Sequence, residues 1–178
     1  VRSLHEAGYR TGIIGKIHVN PKTAFPFDFK RITTSNFARK HLTKYATEAS
    51  TFFAESSQPF FLAVNYPDAH RPFTQQIAGL PAKPLTGSDV PPLKYMGLDS
   101  PQLRTETANY YNCMNRLDHL IGDLLSKLKQ SGKDKETLVV YFGDHGADLL
   151  RGKRTSYEGG VRVPMIIRWP GHTQPGTV

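Results

Sequence analysis

The chain has 178 residues, 38% hydrophobic and 21% charged, a composition that fits a packed globular protein and excludes disordered and fibrous classes. Its longest apolar runs, such as Phe60 to Val64 and Met165 to Ile167, are far too short to span a membrane. The net charge of +8 favours anionic partners, but the basic residues are scattered and carry no zinc-finger or RNA-recognition signature, so no nucleic-acid partner is expected.

In chain order, Val1 to Ala7 reads as the end of a helix stopped by Gly8, so the chain is expected to begin inside a fold. Arg10 to Lys16 has a β-branched centre bounded by glycines, which suits a buried strand ending in a Gly-Lys turn. Pro21 and Pro26 enforce irregular loop from Asn20 to Phe29. Helical spacing then runs from Asn36 to Glu55 through Phe37, Leu42, Tyr45, Ala49, Phe52 and Phe53.

Phe60 to Tyr66 is nearly all apolar, as a strand covered on both faces would be, and it enters a polar loop, Pro-Asp-Ala-His-Arg-Pro-Phe. The proline-rich stretch Thr74 to Pro101 predicts a long surface excursion within one domain. Tyr110, Met114, Leu117, Ile121, Leu124 and Leu128 alternate steps of four and three along an amphipathic helix that ends near Ser131-Gly132. Cys113 lies on it, the only cysteine, which excludes an intramolecular disulfide and favours a buried small hydrophobe. Thr137 to Phe142 predicts a third buried strand and Met165 to Trp169 a fourth. Helices alternating with apolar strands indicate an α/β fold with a mostly parallel sheet, which binds ligands at the carboxyl ends of its strands.

Three polar clusters fall at such ends. Lys16 and His18, two apart, share a face if the chain stays extended, and they suit an anion as well as a solvated lysine beside a loop histidine. His70 sits between Asp68 and Arg71 and reads either as a functional histidine or as one bonded within a turn. Asp144 and His145, between glycines, can bind a cation or simply make a turn, with Lys153, Tyr157 and Glu158 in the glycine-rich loop beyond. Glu158 and Arg162 are read as an ion pair that fixes this loop.

The order of these clusters resembles the sulfatase family of the alkaline-phosphatase-like superfamily over nearly the whole chain. Gly8-Tyr-Arg-Thr-Gly-Ile-Ile-Gly-Lys-Ile-His18 is similar to the family's Gly-Tyr-x-Thr…Gly-Lys-x-His segment, and Pro59 to Phe73 to its strand and histidine loop. Gly143-Asp-His-Gly146 and the stretch from Gly152 to Pro164, continuing to Trp169-Pro-Gly171, resemble its later motifs. The segment from Gly15 to Phe29 also resembles heparan N-sulfatases.

The resemblance implies an α/β sandwich with a mostly parallel sheet flanked by helices, of which residues 1–178 form a single partial domain. It implies hydrolysis of sulfate esters or sulfamates, with a sulfated small molecule or glycan as substrate, in an exported or lysosomal enzyme. It also implies one calcium ion and a formylglycine made within Cys/Ser-x-Pro-x-Arg. That motif is absent here, and Cys113 is followed by no Pro-x-Arg, so the nucleophile and two further acidic ligands are expected outside this chain. Matched residue by residue, Lys16 would contact sulfate, His18 would hold the formylglycine hydroxyl, His70 would bind sulfate or protonate the leaving group, and Lys153 would bridge both. Asp144 and His145 would be metal ligands, although the family often has Asn in place of His145 and Pro in place of Ala69. The alternatives are a phosphodiester or phosphonate hydrolase of the same superfamily and a non-catalytic anion-binding paralogue.

Overall fold

The computed structural model describes residues 1–177, which form two compact units. The first comprises Val1–Asp68 with Leu117–Gly132, and the second comprises Ala69–Arg116 with the residues from Lys133 onward.

In the first unit, helix α1 (Arg2–Glu6) stops at Gly8, whose φ of +83° is the left-handed geometry that ends helices. Strand β1 (Arg10–Gly15) lies between β2 (Phe29–Arg31) and β3 (Phe60–Asn65), all parallel, with Gly12 opposite Phe29 on one side and Leu62 on the other. The central strand is the buried one, and Thr11, Ile13 and Ile14 are closed to solvent. Helices α1 and α2 (Lys44–Glu55) pack against it. From α2, Phe52 meets Phe29 edge-on at 5.3 Å and Phe60 at 5.7 Å, and it is fully buried. Burial of such a ring is worth roughly 1.5–3 kcal/mol.

Two features differ from the sequence reading. Strand β2 falls at the edge of the stretch expected to be loop; Asp28, just before it, accepts hydrogen bonds from Thr11 N–H at 2.8 Å and Thr11 Oγ1 at 2.9 Å, fixing β2 beside β1. Helix α2 starts at Lys44 rather than near Asn36. Asn36, Arg39 and His41 have φ of 48°, 52° and 56°, which a right-handed helix cannot contain. The Asn36 side chain competes for the backbone, accepting from Lys40 N–H at 2.9 Å and donating to Lys40 O at 3.0 Å.

Helix α3 (Pro101–Gln130) begins well before Tyr110, and its first half, through Arg116, belongs to the second unit. There the proline-rich excursion is tied to it rather than lying loose. Buried Asn112 accepts from Leu85 N–H at 2.7 Å and donates to Leu85 O at 2.8 Å, as a neighbouring strand would. Buried Arg116 donates to Thr74 Oγ1 at 3.0 Å and Leu80 O at 3.3 Å. Cys113 is fully buried, as expected for a small apolar side chain.

Strand β4 (Val139–Phe142) pairs antiparallel with β5 (Met165–Arg168). Both were expected as strands, the first of them buried, yet Phe142 is 65% and Met165 63% exposed. The short helix α4 (Glu158–Val161) lies in the glycine-rich loop. The anticipated Glu158–Arg162 ion pair does not form among the described residues; both side chains are exposed, and their link is the backbone bond from Arg162 N–H to Glu158 O at 2.9 Å.

Candidate active site

In the first unit the end of β1 delivers Lys16 and, two residues later, the exposed His18. Gly15 makes the turn with φ of +105°, and a Cβ there would lie 2.0 Å from Asn65 O, so only glycine lets β1 run this close to β3. Asn65 Nδ2 donates to Lys16 O at 2.9 Å, and the half-buried Lys16 side chain places Nζ 5.4 Å from the Phe37 ring centroid.

In the second unit His70 Nδ1 lies 2.7 Å from Arg71 O. A carbonyl only accepts, so Nδ1 carries a proton and Nε2 is the other ring nitrogen available for chemistry. The Arg71 guanidinium reaches Asp148 O from Nε at 3.0 Å and Nη2 at 2.7 Å, pairs with Glu106, and lies over Phe73 at 4.8 Å. This ties the segment beside His70 to the one that follows Asp144 and His145.

Strand β4 leads into Asp144 and His145, whose Oδ2 and Nε2 are 3.5 Å apart. His145 Nδ1 donates to Gly146 O at 2.9 Å, which leaves Nε2 as the ring nitrogen that faces the Asp144 carboxylate. A proton or a metal cation between Nε2 and the carboxylate satisfies both groups, and Asp144, 85% exposed, is open to either. This donor set fits a divalent ion but supplies only two ligands, and no group of three or more His, Cys, Asp or Glu gathers elsewhere among the described residues. Calcium takes six to eight oxygen ligands, so most would come from water or from other parts of the protein.

The loop beyond is backbone packed on backbone. A Cβ on Gly146 would lie 1.8 Å from Gly159 O, and one on Gly152 1.9 Å from Ala147 O. Gly146 N–H donates to Gly160 O at 2.9 Å and Lys153 N–H to Ala147 O at 2.8 Å, so Lys153 is presented on a closed loop. Asp148 is its anchor. The Arg154 hydrogen bonds at 2.9 and 3.3 Å, then the charges of Arg154, Arg71 and Lys153, hold this carboxyl below the usual range against the opposing effect of burial.

Thus His70, Asp144, His145 and Lys153 fall in one unit, joined through Arg71 and Asp148, while Lys16 and His18 fall in the other. Sequence reasoning missed Arg71, Asp148, Phe37 and Asn65 as supporting residues. Arg71 had a signal in its position beside His70, whereas Asp148 had none.

The sulfatase family model matches residues 1–178. Human N-sulphoglucosamine sulphohydrolase is 29% identical over 195 residues, covering 95% of this chain and 38% of that protein. The structure of yidJ from Bacteroides fragilis superposes with a TM-score of 0.75 and 23% identity, covering 97% of this chain and 50% of that one. A phosphonate monoester hydrolase from Silicibacter pomeroyi follows the same fold with a TM-score of 0.58 and 19% identity, covering 94% of this chain and 52% of that one. The chain belongs to the sulfatase family. It has the α/β architecture expected from the sequence, with a parallel sheet flanked by helices, and it spans well under half the length of the human relative. No helix among the described residues is long and apolar enough to cross a membrane.

Proposed function

We propose that the protein carrying this chain hydrolyses sulfate esters or sulfamates, on a sulfated small molecule or glycan, and that residues 1–178 are part of one catalytic domain. The observation that carries this reading is the Asp144–His145 pair, a carboxylate oxygen and an imidazole Nε2 3.5 Å apart at a strand end, followed by Lys153 on a closed glycine loop. The name of the human relative describes removal of sulfate from an N-sulfated amino sugar, which favours a substrate of that class here.

In this reading Asp144 and His145 hold one divalent ion, Ca2+, completed by ligands outside this chain. When bound, the ion draws charge from a sulfuryl oxygen and so favours attack at sulfur. Lys16 and Lys153 place ammonium groups against the sulfuryl oxygens, where charge concentrates as the S–O or S–N bond breaks. His70, its Nδ1 held by Arg71 O, presents Nε2, which when it carries a proton donates to a sulfuryl oxygen or delivers that proton to the leaving atom. His18 holds the hydroxyl of the nucleophile. That nucleophile, a formylglycine, lies elsewhere in the protein, because no Cys/Ser-x-Pro-x-Arg occurs in these 178 residues.

A second reading, hydrolysis of phosphonate or phosphate esters, is favoured by the fold it shares with the phosphonate hydrolase. Assaying the full-length protein on 4-nitrophenyl sulfate, N-sulfoglucosamine and a phenyl phosphonate separates the two. Turnover of either sulfated compound, abolished by chelation and restored by Ca2+, is expected. Preferential turnover of the phosphonate would establish the second reading, and turnover of none would leave an anion-binding paralogue.

A further inference from the structure

We propose that Phe37 is a positioning residue for Lys16, holding its ammonium in place against the face of the aromatic ring. The inference rests on Lys16 being a sulfate-binding residue, as proposed above, and all the groups involved lie in the first unit.

Lysine is a strongly hydrated point charge on a flexible four-carbon stem, so left alone it samples many positions at a strand end. Both ends of Lys16 are held here. Asn65 Nδ2 fixes its backbone carbonyl at 2.9 Å, and the Phe37 ring lies 5.4 Å from Nζ, within cation–π range. Phe37 is 39% exposed, so part of its surface is packed while part stays open to solvent.

The loop that carries Phe37 is costly to build and firmly held. Asn36, Arg39 and His41 all adopt left-handed backbone, a geometry that persists in residues other than glycine only where surrounding contacts over-determine it. Those contacts are present. Asn36 brackets Lys40 with two hydrogen bonds, at 2.9 and 3.0 Å. Arg39, its side chain fully buried, pairs with the equally buried Asp68 at 2.5 Å and donates from Nη1 to Phe37 O at 2.9 Å. A line of contacts therefore runs from the buried ion pair through Phe37 to the Lys16 ammonium, which is how a rigid scaffold preorganises a flexible cation.

A double-substitution cycle on the full-length protein tests this, read as affinity for inorganic sulfate by calorimetry and as kcat/KM on 4-nitrophenyl sulfate. Phe37→Leu is expected to weaken sulfate binding about twofold to fivefold, the range for a cation–π contact near the surface. Phe37→Tyr, which keeps a ring face, is expected to restore affinity to within about twofold. In the Lys16→Ala background, Phe37→Leu should cost almost nothing further, a non-additivity that a purely structural role would not produce. Equal losses in both backgrounds, or none in either, overturn the proposal while leaving the sulfate reading of Lys16 intact. Unchanged sulfate affinity and kcat/KM in Lys16→Ala alone would overturn that reading and this inference with it.

Discussion

Arg71 and Asp148 lie 77 positions apart in the chain, yet two nitrogens of the Arg71 guanidinium converge on the backbone carbonyl of Asp148, at 3.0 and 2.7 Å. A carbonyl that accepts two charged donors cannot swing without breaking both, so the segment beside His70 and the loop leading to Lys153 are locked to each other. Arg71→Met should cost about 1.5–3 kcal/mol of stability, the range for hydrogen bonds to a charged group. Lysine cannot reproduce the fork, so Arg71→Lys should recover little of it. Chemical denaturation of the two variants beside the parent protein checks this, and full recovery by lysine would mean that charge alone matters.

Lys153→Ala should separate activity from folding. The lysine is presented by a loop whose own backbone bonds hold it closed, so the thermal midpoint should barely move. If its ammonium meets charge developing on the sulfuryl group, turnover should fall by about a hundredfold to a thousandfold, as on removal of other preorganised donors. Measuring both quantities on one preparation decides the outcome: unchanged turnover makes the residue a solvated loop lysine, and a collapsed midpoint makes it structural.

Gly146→Ala should be severe although it adds a single carbon. The new Cβ would stand 1.8 Å from Gly159 O, which is backbone and cannot rotate aside. Overpacking of this kind costs typically about 1–3 kcal/mol, and relief here requires opening the loop that presents Lys153. Slowed turnover together with faster proteolysis between Gly146 and Gly160 is the expected signature. Wild-type behaviour would show that the loop adapts.

Asp148 predicts how stability responds to acid. Its carboxyl is held below the usual range first by the Arg154 hydrogen bond and then by the charges of Arg154, Arg71 and Lys153. With the folded value depressed, the unfolded chain takes up the proton first as pH falls. The stabilisation is therefore whole above the unfolded value, near ~3.9, and drains away as pH drops through the folded one. The difference in thermal midpoint between the parent protein and Asp148→Asn should stay constant from about pH 7 to about 5 and shrink below about 4. A difference that grows toward low pH would contradict the assignment.

Strands β1 and β3 could be read from the sequence because their apolar runs are bounded by glycine and proline, signals that act locally. Strand β2 could not, since three residues carry no period and its placement depends on Asp28 reaching Thr11 from a distance. Phe37 fell on a helical spacing by coincidence, and the left-handed backbone around it overrode the pattern. Lys16, His18, His70, Asp144, His145 and Lys153 stand out as candidates because they fall at strand ends or among glycines and because their order resembles the sulfatase motifs. Arg71 and Asp148 were not recognised as a pair because the acceptor is a main-chain carbonyl, which every residue possesses, so no side-chain pattern announces it.

The open faces of β4 and β5 bear on how this chain would behave at the bench. Phe142, Met165 and Ile166 are each more than 60% exposed; Phe142 and Met165 pair directly across the two strands on one face and Ile166 lies on the other, so the ribbon presents apolar surface on both sides. Concentrating the isolated polypeptide should bring out self-association through these strands well before any loss of internal structure, since edge-rich apolar sheets seek one another. Charged substitutions at Phe142 or Ile166 are the natural first remedy for anyone who needs it dispersed, because neither side chain would have to leave a packed interior.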